Sequence, residues 1–145
     1  MRTHAVRLTP GTDLKQALEH VTREHDLRAG LILTCVGSLS RARLRMPGAA
    51  GEPEMFRTFE EPTEILSLTG TLGPDGLHIH IGLSLRSGDC VGGHLVDGCL
   101  VNTTAEVVIG ELAQVEFRRP PDPATGYDEL SVQSRPSGKE GGGDV

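Results

Sequence analysis

Apolar positions recur along the chain with two different periods. Residues 2–8 alternate weakly and stop at Thr9-Pro10-Gly11, the pattern of a strand running into a turn. Leu14, Ala17, Leu18 and Val21 then recur at helical spacing. With Thr12 or Asp13 as cap, they predict one amphipathic helix to about Asp26. Residues 29–36 form a continuous apolar run that ends at Gly37-Ser38, short and branched enough for a buried strand. Residues 64–72 and 77–85 read as two strands reversed at Gly73-Pro74-Asp75-Gly76. Residues 99–112 give another long strand and 113–117 a further short one, whereas 46–62 read as loop and the Gly-rich stretch before His94 as a turn. The sum is one helix, or two, and six to eight strands: an α+β domain with a largely antiparallel sheet.

Three segments carry candidate chemistry. Leu77-His78-Ile79-His80-Ile81 places both histidines on one face of a strand, roughly 6.5–7 Å apart, with the isoleucines turned to the core. Two imidazoles at that spacing can converge on one ion at about 2.0–2.1 Å. His94 follows Gly92-Gly93, where glycine permits close backbone approach. Three neutral imidazoles suit zinc, and also nickel, copper or iron, and leave a coordination position open. Arg41, Arg43 and Arg45 share a strand face, which reads as a phosphate contact, a solvated edge or a set of ion pairs between subunits. Glu64 and Glu106 stand in otherwise apolar and Thr-rich strands. They are candidate general bases, or ion-pair partners of Arg43 and Arg45. His20 and His25 read as surface residues.

Composition narrows the function. The chain has 145 residues, a net charge of −6, one Tyr, three Phe and no Trp. Duplex DNA binders draw affinity from a basic face, and single-strand binders from aromatic platforms; this sequence is poor in both. The sequence offers no apolar run of about 20 residues and no secretory h-region, so a cytoplasmic protein without membrane attachment is expected. Cys35, Cys90 and Cys99 are odd in number and lack CxxC spacing, which fits a reducing compartment. Residues 133–145, all Ser, Gly, Pro, charge and two isolated others, are expected to be a disordered tail behind a domain of 1–132.

The order of motifs resembles the plant and prokaryote conserved (PPC) domain family. The resemblance rests on Pro10-Gly11-x-Asp13-Leu14, Gly37-Ser38-Leu39 and Glu64-Ile65-Leu66-Ser67-Leu68-Thr69-Gly70-Thr71-Leu72. It continues through His78-Ile79-His80-Ile81, Gly92-Gly93-His94-Leu95, Gly98-Cys99-Leu100-Val101 and Thr104-Ala105-Glu106-Val107-Val108-Ile109. It implies a curved, mostly antiparallel α+β sheet, a homotrimer, and a zinc site on His78, His80 and His94. Where the family often carries an Asp after the histidine pair, this chain has Leu85. Plant members sit beside Arg-Gly-Arg-Pro AT-hooks; Arg118-Arg119-Pro120-Pro121 lacks that core. Two readings follow. One is a trimeric zinc protein with an open three-histidine site and an unassigned reaction or small-molecule ligand. The other is a DNA-associated regulatory or interaction module, with a structural metal and weak or indirect DNA contact through Arg41, Arg43 and Arg45.

Overall fold

The computed structural model describes residues 1–49 and 51–135. The chain opens with β1 (Arg2–Leu8) and α1 (Leu14–Glu24), the single α-helix among the described residues. Asp13 caps α1 by accepting from the Gln16 N–H at 3.1 Å, which satisfies one of the donors a helix start leaves free. Its second oxygen accepts from Gly98 N at 2.7 Å and ties the cap to the sheet. Past the helix, Asp26 takes a φ of 46°, a left-handed conformation that ends the helical run. Leu14, Leu18 and Val21 form the buried stripe of α1.

The apolar run and the arginine row expected as separate segments are one strand, β2 (Gly30–Arg45). It survives Gly37-Ser38 because its register against its neighbour shifts at three places, between Ile32/Thr34, Gly37/Leu39 and Leu39/Arg41. Such bulges bend and twist a strand without ending it. The chain continues as β3 (Phe56–Phe59), β4 (Thr63–Gly73), β5 (Gly76–Ser84), β6 (Cys90–Leu95) and β7 (Leu100–Glu111). These form one antiparallel sheet in the order β1-β7-β2-β4-β5-β6, with β3 on β2. The far end of β2 also pairs with β6, through Leu44↔Leu95 and Arg45↔His94. The sheet therefore curls until β2, β4, β5 and β6 close into a ring.

After β7 come β8 (Val115–Arg118), β9 (Pro121–Asp122), β10 (Tyr127–Asp128) and β11 (Ser131–Ser134). Pro120-Pro121-Asp122-Pro123 hides the β9–β10 hairpin from any propensity reading. β11 pairs with β8, with Gln133 opposite Glu116 and Ser134 opposite Val115. The ordered chain thus passes the expected boundary at 132, and the remaining tail positions, 136–145, lie outside the described residues. No helix among the described residues is long and apolar enough to cross a membrane.

Alternation places Leu68 and Leu72 of β4, and Ile79, Ile81 and Leu83 of β5, in the same core as the α1 stripe. Each such fully buried side chain contributes about 1.5–3 kcal/mol. The opposite positions of β4 and β5 are left on the outer face, and the histidines occupy that face.

Candidate metal centre

On β5 the buried residues are Ile79, Ile81 and Leu83, so His78 and His80 point outward together. His78 lies across from Thr71 of β4 and His80 across from Thr69. On its other side His80 faces His94 of β6 directly. The stretch expected as a glycine turn is therefore a strand, and His94 arrives by cross-strand pairing. Gly93 is nonetheless essential to the closure, and Gly70 to the approach of β4 and β5. A Cβ at Gly93 would stand 2.8 Å from the carbonyl oxygen of Arg45, where β6 meets β2. A Cβ at Gly70 would stand 2.1 Å from the carbonyl oxygen of His78, so β4 reaches β5 only without a side chain there.

The ring centroids of the three imidazoles are 5.1–5.5 Å apart. One nitrogen from each can be chosen so that all three lie within 4.8 Å of one another. The Nε2 atoms of His78 and His80 are 3.3 Å apart. Zinc–nitrogen bonds of about 2.05 Å at the tetrahedral angle put two ligand nitrogens roughly 3.3 Å apart, so this pair spans one edge of a zinc tetrahedron. Nδ1 of His94 is buried with no hydrogen-bond partner among the described residues, a condition that a buried ring nitrogen rarely keeps. The donor set therefore fits a borderline divalent metal.

The surroundings favour the neutral form of two of the three imidazoles. Burial, helped by the charge of Arg45, pushes the His94 imidazole down to about 4. Burial, then the charge of Arg119, lowers His78. A neutral imidazole is the form that ligates.

Around the histidines stand residues that sequence reading passed over. Arg119 donates from Nη2 to Thr71 Oγ1 at 2.8 Å, and the charge of Glu129 is felt at His78. Arg45 bonds Glu54 Oε1 at 2.7 Å. A cleft of about 430 Å³ opens beside His80 and His94, walled by Met46, Met55 and Tyr127. A shallower recess of about 320 Å³ lies beside His78 and His80. Their chain positions are remote from the His-x-His segment, and no local pattern joins them to it.

The other candidates lie elsewhere. Glu64 faces Ser84 at the far end of the β4–β5 hairpin, five positions from Thr69 and so about 15 Å along the strand. Glu106 faces Arg7 and Val36; Val36 is nine positions before Arg45 on β2, roughly 30 Å. The ion pairs expected between these acids and the arginine row involve other acids. Arg41 pairs with Glu60 and Arg45 with Glu54, while Arg43 stacks over Phe56 at 4.1 Å. Leu85 packs against the core, and Cys90 is exposed opposite Ser84, away from the triad. His20 lies beside Glu24 and His25 against His4, outside the cluster.

Known proteins are similar to this chain to different extents. Two relatives, each a Bifunctional protein GlmU from a Synechococcus strain, are 46% and 47% identical over 133 residues, which is 92% of this chain. The chain spans about a fifth of the length of these curated relatives, 20% and 21%. A solved structure, a hypothetical protein from Salmonella enterica, is 40% identical with a TM-score of 0.85, covering 92% of this chain and 94% of that one. The metal-containing protein AF0104 from Archaeoglobus fulgidus is 26% identical with a TM-score of 0.80, covering 90% and 94% of the two chains. A Bacteroides thetaiotaomicron protein to which DNA binding is ascribed is 23% identical with a TM-score of 0.81, covering 89% and 91%, and shares the fold. The family profile of the Plants and Prokaryotes Conserved domain matches residues 1–113. The chain belongs to that family, written PCC or PPC.

Proposed function

We propose that this protein is a trimeric zinc-binding domain whose metal is held by His78, His80 and His94 in an open site that takes a small-molecule ligand. The observation that carries this reading is the convergence of three outward imidazoles, with the His78 and His80 nitrogens 3.3 Å apart. When bound, a zinc ion with three protein ligands supplies a Lewis acid at its open position and lowers the pKa of a water there. The chain's own residues lower the pKa values of His78 and His94, and Met46, Met55 and Tyr127 wall the cleft. Glu129, whose charge acts on His78, is the carboxylate we propose to hold or move a proton there, ahead of the more distant Glu64 and Glu106.

Self-association is the second half of the proposal. Val36 and Leu66 are 59% and 57% exposed on central strands, not on edges. The register Ser38↔Glu64, continued two residues along each strand, brings Val36 near Leu66, and we read the two as one apolar patch of the kind a partner copy covers. Direct DNA contact is the weaker reading. Arg41 and Arg45 are each bound to a glutamate and the chain carries −6 overall, so two of the three charges in the arginine row are already met and a phosphate backbone is opposed by the net charge.

Elemental analysis tests the metal. Purified protein is expected to carry one zinc per chain, and His78→Ala, His80→Ala and His94→Ala each to lose nearly all of it, while His20→Ala changes nothing. The fold should survive a chelator by circular dichroism, because Ile79 and Ile81 anchor β5 from the opposite face. Stoichiometric zinc in the triple alanine variant would overturn the assignment.

A further inference from the structure

Two arginines flank the triad, and their charges are met differently. Arg45, across from His94, is neutralised by Glu54 at 2.7 Å. Arg119 has no carboxylate within ion-pair distance among the described residues; the neighbouring Arg118 takes both Asp75 and Glu116. Its position is nonetheless fixed at two points. The backbone N–H of Arg119 donates to Asp75 Oδ2 at 3.0 Å, and Nη2 donates to Thr71 Oγ1 at 2.8 Å. Arg119 and Thr71 line the recess beside His78 and His80. A half-buried guanidinium, held rigid and without a counter-ion, is a ready site for a planar anion.

The rest of the site narrows the anion. His80 lines both the recess that holds Arg119 and the larger cleft, so the triad lies between the two. The fork of one guanidinium matches one carboxylate.

We propose that the site takes a small organic acid, its carboxylate held by Arg119 beside Thr71 and its remainder directed toward His80. This rests on the metal reading above, and the test separates the two. Cobalt(II) is loaded in place of zinc, and its uptake is measured before any acid is added. Lactate is then titrated, with acetate and inorganic phosphate as parallel arms. Binding is followed by the visible cobalt spectrum and independently by calorimetry.

Lactate is expected to bind the wild type more tightly than phosphate does. Arg119→Gln should weaken lactate at least tenfold with cobalt stoichiometry unchanged, and Arg119→Lys should fall between, keeping the charge and losing the fork. Should Arg119→Gln not fold, Thr71→Val, which frees the guanidinium, is expected to weaken lactate several-fold. Equal lactate affinity in wild type and variant, or no lactate binding to cobalt-loaded protein, overturns the inference and leaves the metal site standing. Phosphate binding more tightly than lactate overturns the carboxylate assignment. Failure of the wild type to take up cobalt removes the metal reading and this inference together.

Discussion

His94 shows how much of this site depends on a single side chain's surroundings. Its ring is partly buried, it faces Arg45 across the β2–β6 closure, and its Nδ1 has no partner among the described residues. Burial, with the charge of Arg45, holds the imidazole at about 4, below its ordinary 6.5. In the metal-free protein the unfolded chain takes up a proton at His94 near 6.5, whereas the fold resists until about 4. Between those values the unfolded state binds more protons, so stability is lost as pH falls from 6.5 toward 4 and is flat above. His78, also lowered, adds in the same direction. Thermal unfolding in chelator should show this slope, and His94→Gln should flatten it; an unchanged slope would mean that His94 titrates normally. His78 and His80 were legible together because His-x-His needs only the two-residue period of a strand, whereas His94 joins them through the pairing of β5 with β6. Arg119 was not, because it meets Thr71 from 48 positions away, and Glu129 and Glu54 reach the histidines through similar non-local folding.

At the scale of elements, the strands with regular alternation were readable and those defined by their partners were not. β4 and β5 lie within one residue of their expected limits, since alternation and the Pro-Asp-Gly reversal are local signals. β6 was read as a turn because Gly92-Gly93 has poor strand propensity, yet it pairs along its length with β5. Tertiary pairing overrides propensity where glycine is the residue that fits. Gly93→Ala should therefore act at a distance from the metal. Its Cβ would press on the Arg45 carbonyl at 2.8 Å and on Leu44 Cβ at 3.2 Å, forcing β2 and β6 apart. A loss of about 1–3 kcal/mol in stability is expected, with zinc affinity falling at least tenfold as His94 moves off His80. Gly48→Ala, where the nearest atom is a flexible glutamate oxygen at 3.6 Å, is the control and should leave both unchanged. Wild-type zinc affinity in Gly93→Ala would show that the triad tolerates the strain.

Over the whole molecule, the curl of the sheet divides its outer surface. The closed ring of β2, β4, β5 and β6 carries the histidines at one end of β5, opposite Thr69 and Thr71. Farther along the same β4 strand stands the Val36–Leu66 patch, with Leu33 exposed on the same β2 strand. A hydrophobic patch on central strands costs solubility in a monomer and contributes binding energy in an assembly. The family resemblance implies three copies, and three patches meeting around an axis would cover one another. Sedimentation equilibrium at micromolar concentration should return three times the chain mass of 15.4 kDa. Val36→Glu combined with Leu66→Glu should shift the protein to monomer, because each copy then buries charges with no partner at the contact. Arg57→Ala, on β3 outside the patch, should leave the mass unchanged. A wild-type monomer would remove the trimer outright, and a trimer surviving both glutamates would place its interface on another face. Zinc content measured on the monomeric variant then separates assembly from metal binding: full occupancy means that one chain completes the three-histidine site by itself, as the cross-strand pairing of His80 and His94 requires.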